Sequence, residues 1–430
     1  MMLKERIKKL CPSFLLSGYH FSLSLLSALF YGFPSKKIKV VGITGTNGKS
    51  TTAFLISKIL EEAGFSVAVS CSIFFKIKNQ EWQNKMRMTM PGRFFLQSFL
   101  KKAVKEKCQY AIVEVTSEGI KQYRHSFINF DCAIFTNLYP EHIEAHGSFE
   151  KYRKAKEKLF EKTKNCHILN FDDKEVFHFL NYPSEKKYLY SLKNGENYFL
   201  ASNEKLIKGK ILKTTKKTIL MEVKGLKINL KIPGEFQAYN AMAAIAFALS
   251  QNIPLKIAKR ALKKISSVPG RMEEVISFPF KVIVDYAFTP NALESVYLNL
   301  RKYLRKNEKM ICVLGACGGG RDKWKRPVLG KIAQKYCEKV IITNEDPYDE
   351  DPWEIIEQVA KGCNKAEKIL DRREAIGKAL SLAQKNDIVI ITGKGCEPSI
   401  CVKNGKKIPW DDRVVVREEF EKLKTNGKQI

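Results

Sequence analysis

Short apolar runs, most of them rich in β-branched residues, recur along this chain, with charged stretches of helical length between them. Ile38-Lys39-Val40-Val41, Val67-Ala68-Val69, Tyr110-Ala111-Ile112-Val113, Cys132-Ala133-Ile134-Phe135 and Cys166-His167-Ile168-Leu169 have the length and composition of strands. Ala53 to Glu62 and Phe149 to Lys162 read as helices. Strand and helix in alternation predict an α/β fold with a parallel sheet. Residues 198 to 232 break that rhythm: they alternate, are rich in Lys, Thr, Ile and Val, and predict an antiparallel hairpin insertion, with a helix following at Ala238 to Ser250. Pro269-Gly270 then punctuates the chain. A second α/β set starts at Val282-Ile283-Val284-Asp285 and continues through Ile311-Cys312-Val313-Leu314, Val340-Ile341-Ile342 and Asp387-Ile388-Val389-Ile390-Ile391.

The N-terminal stretch changes the picture. Met1 to Leu10 is basic, and Cys11 to Pro34 contains no Asp, Glu, Lys or Arg. Ser13, Ser17, His20, Ser22, Ser24 and Ser27 dilute the apolar run, and no small-residue cleavage signal is clear. The expectation is one or two amphipathic helices packed on the next domain, with contact to a membrane surface as the alternative.

Length and charge bound the rest. A chain of 430 residues suits two or three domains. Its 75 basic and 45 acidic residues leave a net charge of +30, which suits an anionic partner. The basic residues are mostly Lys and dispersed, as in Lys101-Lys102 and Lys213, Lys216 and Lys217, so no nucleic-acid stripe is expected. A generally Lys-rich composition, as in a hot habitat, is the plainer reading. The 11 cysteines include no Cys-x-x-Cys pair, and the Cys312 to Cys317 spacing suits neither zinc nor a redox motif. They predict reduced thiols in a cytoplasmic protein. Oligomeric state is not readable.

The clearest chemistry lies in Gly42-Ile43-Thr44-Gly45-Thr46-Asn47-Gly48-Lys49-Ser50-Thr51-Thr52, a Gly-rich turn between a strand and a helix. That context lets backbone N–H groups cradle a triphosphate, with Lys49 on the β- and γ-phosphates and the Ser50 hydroxyl on Mg²⁺. Ile43 stands where the usual P-loop has glycine, so this is a variant loop; the plain alternative is an ordinary Gly-rich turn. Other candidates sit at strand ends, where open α/β sheets place ligands. Glu114-Val115-Thr116-Ser117 offers a carboxylate just past one strand, and Thr136 to Gly147 closes another with Glu141, His142, Glu144 and His146. With His125, these histidines are either structural or part of a Mg²⁺-bearing site.

Taken together, Gly45-Thr46-Asn47-Gly48-Lys49-Ser50, Glu114-Val115-Thr116-Ser117, Phe135-Thr136-Asn137-Leu138, His142 and Ala155-Lys156 with Leu159-Phe160 resemble the Mur ligase family. Arg271-Met272-Glu273, Asp285-Tyr286-Ala287, Gly320-Arg321-Asp322-Lys323 with Lys325-Arg326-Pro327, and Gly393-Lys394-Gly395 with Glu397 resemble its MurE type, the UDP-N-acetylmuramoyl-tripeptide synthetases. The match runs in order from about residue 38 to 417.

The resemblance implies a P-loop ATPase central domain with a parallel sheet over 38–268 and a C-terminal Rossmann-like ligase domain over 269–430, after a short helical segment at 1–37. It implies an ATP-dependent amide ligase of peptidoglycan precursor synthesis. ATP phosphorylates a carboxylate of UDP-muramoyl-dipeptide, and an amino acid's amine attacks the acyl phosphate. By resemblance, Gly45, Thr46, Asn47, Gly48, Lys49, Ser50 and Thr51 hold the nucleotide, with Asn240, Arg271 and Asp285 around it. Ser50 and Glu114 hold one Mg²⁺, His142 helps hold a second, and Lys156 is the lysine that becomes carbamylated beside the metal. Domain closure is expected, with Arg271 sensing it. Thr89, Thr116, Ser117, Gln122 and Arg124 match positions facing the muramoyl peptide; Arg124 could equally be a solvated charge. Arg321 is available for the amino acid's α-carboxylate, and Gly393 and Glu397 fall in the same pocket's motif.

Several positions depart from the family pattern. The segment before residue 38 is expected to stand in place of the family's uridine-binding N-terminal domain. Glu118, Phe288 and Cys396 replace expected histidines. The Asp-Asn-Pro-Arg motif of diaminopimelate enzymes reads Glu345-Asp346-Pro347-Tyr348, so the Arg that clamps a distal carboxylate is absent. Glu345, Asp346 and Glu397 could instead attract a distal ammonium, which favours a diamino acid such as lysine or ornithine over diaminopimelate. The alternative reading is a related Mur-type ligase acting on folate, an amino-acid polymer or an archaeal-type wall peptide. A non-catalytic ATP-binding subunit is a third, against which all the phosphate and metal residues are retained.

Overall fold

The computed structural model describes residues 12–193 and 198–425, so the basic run Met1 to Leu10 lies outside the described residues. The chain forms two compact units. One holds the residues up to 140 with 148–266; the other holds 141–147 with the residues from 267 onward.

The first unit is built on one eleven-stranded sheet. Its strands are β1 (Lys39–Thr44), β2 (Val67–Ser70), β3 (Phe74–Ile77), β4 (Gln80–Gln83), β5 (Tyr110–Glu114), β6 (Phe130–Phe135), β7 (Cys166–Asn170), β8 (Lys186–Ser191), β9 (Glu204–Thr214), β10 (Ile219–Val223) and β11 (Leu226–Leu230). They lie in the order β11-β10-β9-β8-β7-β6-β1-β5-β2-β3-β4. The strands from β9 through β1 to β2 run parallel, as the alternation predicts. β1 is central and buried from Val40 to Thr44, which is why it reads as a continuous apolar run. The alternating segment is antiparallel, but it is not a separate insertion. β9 pairs in parallel with β8 and continues the sheet, and β10 and β11 fold back on it. At the opposite edge β3 and β4 form a hairpin that the sequence reading did not contain.

Helices cover both flanks. Lys49–Glu62 packs against Phe236–Ser250, and Phe149–Lys162 lies on β1 and β6. Ser148 caps the latter helix, its hydroxyl accepting from the Lys151 N–H at 3.1 Å. At the N-terminal side there is one described helix, Ser13–Tyr31. It is not amphipathic in the expected sense, because Phe14, Leu15, Tyr19, Leu26, Leu29 and Phe30 face outward while Ser24 and Ser27 are buried against the protein.

The second unit holds a six-stranded sheet of β12 (Glu273–Ile276), β13 (Lys281–Asp285), β14 (Met310–Leu314), β15 (Lys339–Ile342), β16 (Glu367–Lys368) and β17 (Ile388–Thr392). Their order is β12-β13-β17-β14-β15-β16, parallel except for β12. β18 (Ser399–Cys401) and β19 (Lys407–Pro409) form a separate antiparallel pair. Asp351 and Asp371 cap the helices Pro352–Ala360 and Arg372–Leu382 with their carboxylates. Under the sheet Arg372 meets Asp412 through Nε and Nη2 at 2.9 and 2.8 Å, both side chains buried. Ten cysteines lie in the described residues and none is in a disulfide.

Candidate active site

In the first unit the Gly-rich loop leaves the end of β1 and enters the helix Lys49–Glu62. Gly45 (φ 147°) and Gly48 (φ 84°) both adopt positive φ. A Cβ at Gly45 would come within 1.9 Å of Thr136 Oγ1, and one at Gly48 within 2.3 Å of Asn240 Oδ1. Only glycine fits either place. Gly48 is the N-cap of a 14-residue helix that has no side-chain cap, and an uncapped helix start offers N–H groups that can bind an anion.

The loop is held from the side by the end of β6. Thr46 N donates to Asn137 O and Asn47 N to Asn137 Oδ1, each at 2.9 Å, while Thr136 Oγ1 donates to Asn47 O at 2.7 Å. The Thr46 hydroxyl is spent on structure: it accepts from Tyr139 N at 3.0 Å and lies 3.1 Å from the Tyr152 hydroxyl.

Two lysines converge on the same loop. Lys49 Nζ donates to Gly45 O and Thr46 O at 3.0 and 2.9 Å, and Lys156 Nζ donates to Gly45 O at 2.9 Å. Lys156 is 2 % exposed and lies 4.7 Å over the Tyr152 ring. Burial first, and Lys49 second, push its ammonium well below the usual lysine range. Burial thus disfavours its charged form and favours the free amine, on a side chain that lies inside the protein and not on the helix surface.

Glu114 stands at the end of β5, paired in register with Ile43 of β1. It is fully buried, with Oε1 accepting from Ser72 N at 3.0 Å and Oε2 3.1 Å from Ser72 Oγ. The same hydroxyl lies 2.8 Å from Thr89 Oγ1, which joins two predicted residues through one that sequence reasoning missed. Ser50 and Thr51 are buried in the first turn of the helix. Glycine positions that a Cβ would fill, an uncapped helix start, a hydroxyl and a carboxylate at neighbouring strand ends fit a triphosphate with its divalent cation.

The residues expected to face the peptide are more firmly engaged. Thr116 caps the short helix Ser117–Lys121 by accepting from Gly119 N at 3.0 Å, and Ser117 is buried beside it. Arg124 donates to Met90 O and, at 2.7 Å, to Gln122 Oε1. Burial, then the nearby Arg93, lower its pKa. Arg124 is thus a partly buried, locally paired group and not a solvated charge.

In the second unit, His142 (φ 57°) precedes the one-turn helix Ile143–His146, whose Ile143 and Glu144 N–H groups donate to Asp322 at 3.2 and 2.9 Å. Glu141 beside it forms a buried pair with Lys325 at 2.5 Å. Asp285 ends β13, its carboxylate accepting from Met272 N and Ala287 N, both at 2.7 Å; burial raises its pKa against the pull of Arg271. The Arg271 guanidinium lies 4.2 Å over the Tyr286 ring, and the Tyr286 hydroxyl donates to Glu397 at 2.9 Å.

The expected amino-acid pocket is already partly neutralised. Lys394 Nζ donates to both oxygens of Asp346, at 3.0 and 2.9 Å, and to Glu397 at 2.6 Å. Two of the three carboxylates expected to attract a distal ammonium therefore already meet one. Glu345 is the third: Cys317 Sγ donates to its Oε1 at 3.0 Å, and its buried Oε2 has no hydrogen-bond partner among the described residues. Burial, then Asp346, raise its pKa. Gly393 has φ 106°, and a Cβ there would lie 2.4 Å from that Oε2, so backbone and space both favour glycine. Burial lowers the Arg321 pKa, but Cys317, Tyr286, Tyr348 and Glu141 outweigh it and raise the value.

Comparison with known proteins decides the family. The Mur ligase middle domain matches residues 43–248, and the Mur ligase glutamate ligase domain matches 270–395. The chain belongs to the Mur ligase family. It is similar to the UDP-N-acetylmuramoyl-L-alanyl-D-glutamate–2,6-diaminopimelate ligase of Syntrophomonas wolfei, 39 % identical over 92 % of this chain and 81 % of that one. The enzyme of the same name from Aquifex aeolicus is 38 % identical over 90 % and 79 %. A solved structure of such a ligase matches with a TM-score of 0.59 and 27 % identity, covering 90 % of this chain and 79 % of that one.

As a Mur ligase the chain is an ATP-dependent enzyme that forms amide bonds, with the P-loop-type α/β centre and the C-terminal α/β domain of that family. The residues its sequence reading missed are the ones that hold functional groups from behind. Asn137 and Lys394 stand inside the motifs that carried the resemblance. Ser72 follows β2 with no motif of its own, and only the fold brings it to Glu114.

Proposed function

We propose that this Mur ligase adds an amino acid to UDP-N-acetylmuramoyl-dipeptide in the cytoplasm, during peptidoglycan precursor synthesis. The convergence of Lys49 and Lys156 on the Gly45 carbonyl carries the reading, and the names of the relatives supply the acceptor. ATP would lie on the loop 45–48 with Lys49 at its terminal phosphates, Thr51 behind the loop, and Asn240 packed on Gly48. Ser50, Glu114 and a carbamate on Lys156 would hold Mg²⁺, whose chemistry is to neutralise phosphate charge as it develops.

A carbamate would form by addition of the uncharged form of the Lys156 amine to CO₂, making one N–C bond at the expense of one C=O π bond and releasing one proton; burial favours that form. Glu114, held by Ser72, keeps a fixed carboxylate facing the loop. Thr89, Thr116, Ser117, Gln122 and Arg124 would orient the peptide. In the second unit His142, Arg271 and Asp285 keep the metal and nucleotide roles that the resemblance implies. Arg321, Glu345, Asp346, Gly393 and Glu397 serve the incoming amino acid.

That amino acid is a diamino acid. The relatives are named for diaminopimelate, whereas Tyr348 supplies no clamp for a second carboxylate. Phosphate release tests both halves of the proposal. It should require UDP-muramoyl-alanyl-glutamate together with diaminopimelate, lysine or ornithine. Release with folate or free dipeptides instead would move the enzyme to another branch of the family.

A further inference from the structure

The helix Ser13–Tyr31 turns six of its large apolar side chains outward. Its buried positions are Ser24, Ser27 and Ala28. Ser24 Oγ donates to Tyr123 O at 2.8 Å, Ser17 Oγ lies 2.9 Å from the Tyr123 hydroxyl, and Arg93 Nη2 lies 2.9 Å from His20 Nδ1. Outward stand Phe14, Leu15, Tyr19, Leu26, Leu29 and Phe30, with Phe14 71 % and Phe30 76 % exposed. At about 100° per residue these six fall within one arc of about 160°, shared with the exposed Gly18 and Ser22, and they form a stripe running the length of a helix about 28 Å long. A helix on a water-facing surface has the opposite arrangement, and a long exposed apolar stripe marks a contact surface.

What covers the stripe follows from its flanks. The helix carries no Asp, Glu, Lys or Arg. Just before it the sequence holds Lys4, Arg6, Lys8 and Lys9 against Glu5 alone, and just after it Lys36, Lys37 and Lys39 are exposed. An uncharged apolar face between two basic ends matches an anionic bilayer, whose headgroups meet the lysines while its acyl region takes the rings. A second copy of the chain would bring a second set of basic flanks to the same place, where they repel. The helix is long and apolar enough to cross a membrane. Its other face is bonded to Arg93 and Tyr123 of the folded unit, however, so it lies in the plane of the surface.

We propose that the face Phe14, Leu15, Tyr19, Leu26, Leu29 and Phe30 docks on an anionic membrane surface and holds this enzyme there. The proposal uses no catalytic residue and stands apart from the choice of substrate. The full chain should co-sediment with vesicles of phosphatidylcholine mixed with phosphatidylglycerol. Binding should be at least about tenfold weaker to phosphatidylcholine alone, and should fall as salt is raised. Leu26→Glu with Phe30→Glu changes only exposed positions and should abolish sedimentation while leaving the melting temperature and ATP hydrolysis unchanged. Lys8→Glu with Lys9→Glu, which precede Ser13 in the sequence, should weaken binding with the stripe's own residues unchanged. Equal recovery with both vesicle types, or full binding by the Leu26/Phe30 variant, overturns the proposal. So does a wild-type dimer in light scattering that this variant converts to monomer, because the face would then belong to a second copy.

Discussion

Lys156 Nζ and Lys49 Nζ both donate to the carbonyl of Gly45, at 2.9 and 3.0 Å. Burial first, and the charge of Lys49 second, hold Lys156 well below its ordinary value of 10.5. In the unfolded chain the same lysine titrates near 10.5. Between the depressed folded value and 10.5 the unfolded state binds more protons, so this group destabilises the fold at neutral pH, and the penalty fades as pH rises toward 10.5.

Lys156→Met should therefore melt higher than wild type at pH 7 in bicarbonate-free buffer, by about 2–4 °C, with the gap closing as the pH approaches the unfolded value. Its ligase turnover should fall at least about a hundredfold. Melting curves across the pH series read the first effect and phosphate release the second. A variant that melts lower than wild type throughout would mean that Lys156 is charged and paired in the fold.

Gly48→Ala combines a positive φ with a Cβ that would lie 2.3 Å from Asn240 Oδ1. The strain should cost about 1–3 kcal/mol in urea unfolding and remove ATP binding in calorimetry. Adding Asn240→Ala clears the collision but not the φ penalty. The double variant should therefore recover part of the stability and little of the affinity. Full recovery of both would mean that contact, not backbone conformation, requires glycine at this place.

Much of the scaffold was legible because its strands are buried on both faces. β1, β5, β7, β14 and β17 each carry a short, mostly apolar run, and the helix Phe149–Lys162 falls on the residues its charge pattern gives. The β3–β4 hairpin was not legible, since Gln80–Gln83 is a short exposed edge strand with Trp82 as its one apolar residue. The loop glycines and Lys49 announce themselves by spacing, while the altered chemistry of Lys156 depends on burial that no local pattern encodes. The ammonium on Asp346 is likewise tertiary. Asp346 and Lys394 are 48 residues apart, so sequence shows two opposite charges but not that they meet.

The Arg372–Asp412 pair should be the most sensitive ion pair tested in the second unit. Both side chains are buried, and Asp412 Oδ1 also accepts from Trp410 Nε1 at 2.8 Å. Asp412→Ala strands a buried guanidinium and should cost about 3–5 kcal/mol. Arg372→Met with Asp412→Leu removes both charges and should recover most of it. The check is denaturant unfolding of all three variants; a double variant as unstable as the single one would show that packing rather than charge dominates.

Position 348 is where the amino-acid preference can be turned. Tyr348 has φ 53°, its N–H donates to Cys401 O at 3.1 Å, and its ring lies against Gly319. The backbone bond survives a change to arginine, which can hold the same φ as tyrosine. A guanidinium there presents a planar fork that takes a carboxylate by two parallel bonds, whereas it repels a distal ammonium. Tyr348→Arg should raise the ratio of kcat/KM for diaminopimelate over lysine by at least about tenfold, equivalent to about 1.4 kcal/mol. The change should lie mainly in KM, because the distal end is far from the reacting amine. An unchanged ratio would separate residue 348 from the far end of the amino acid and leave the buried Glu345 oxygen as the group that reads it.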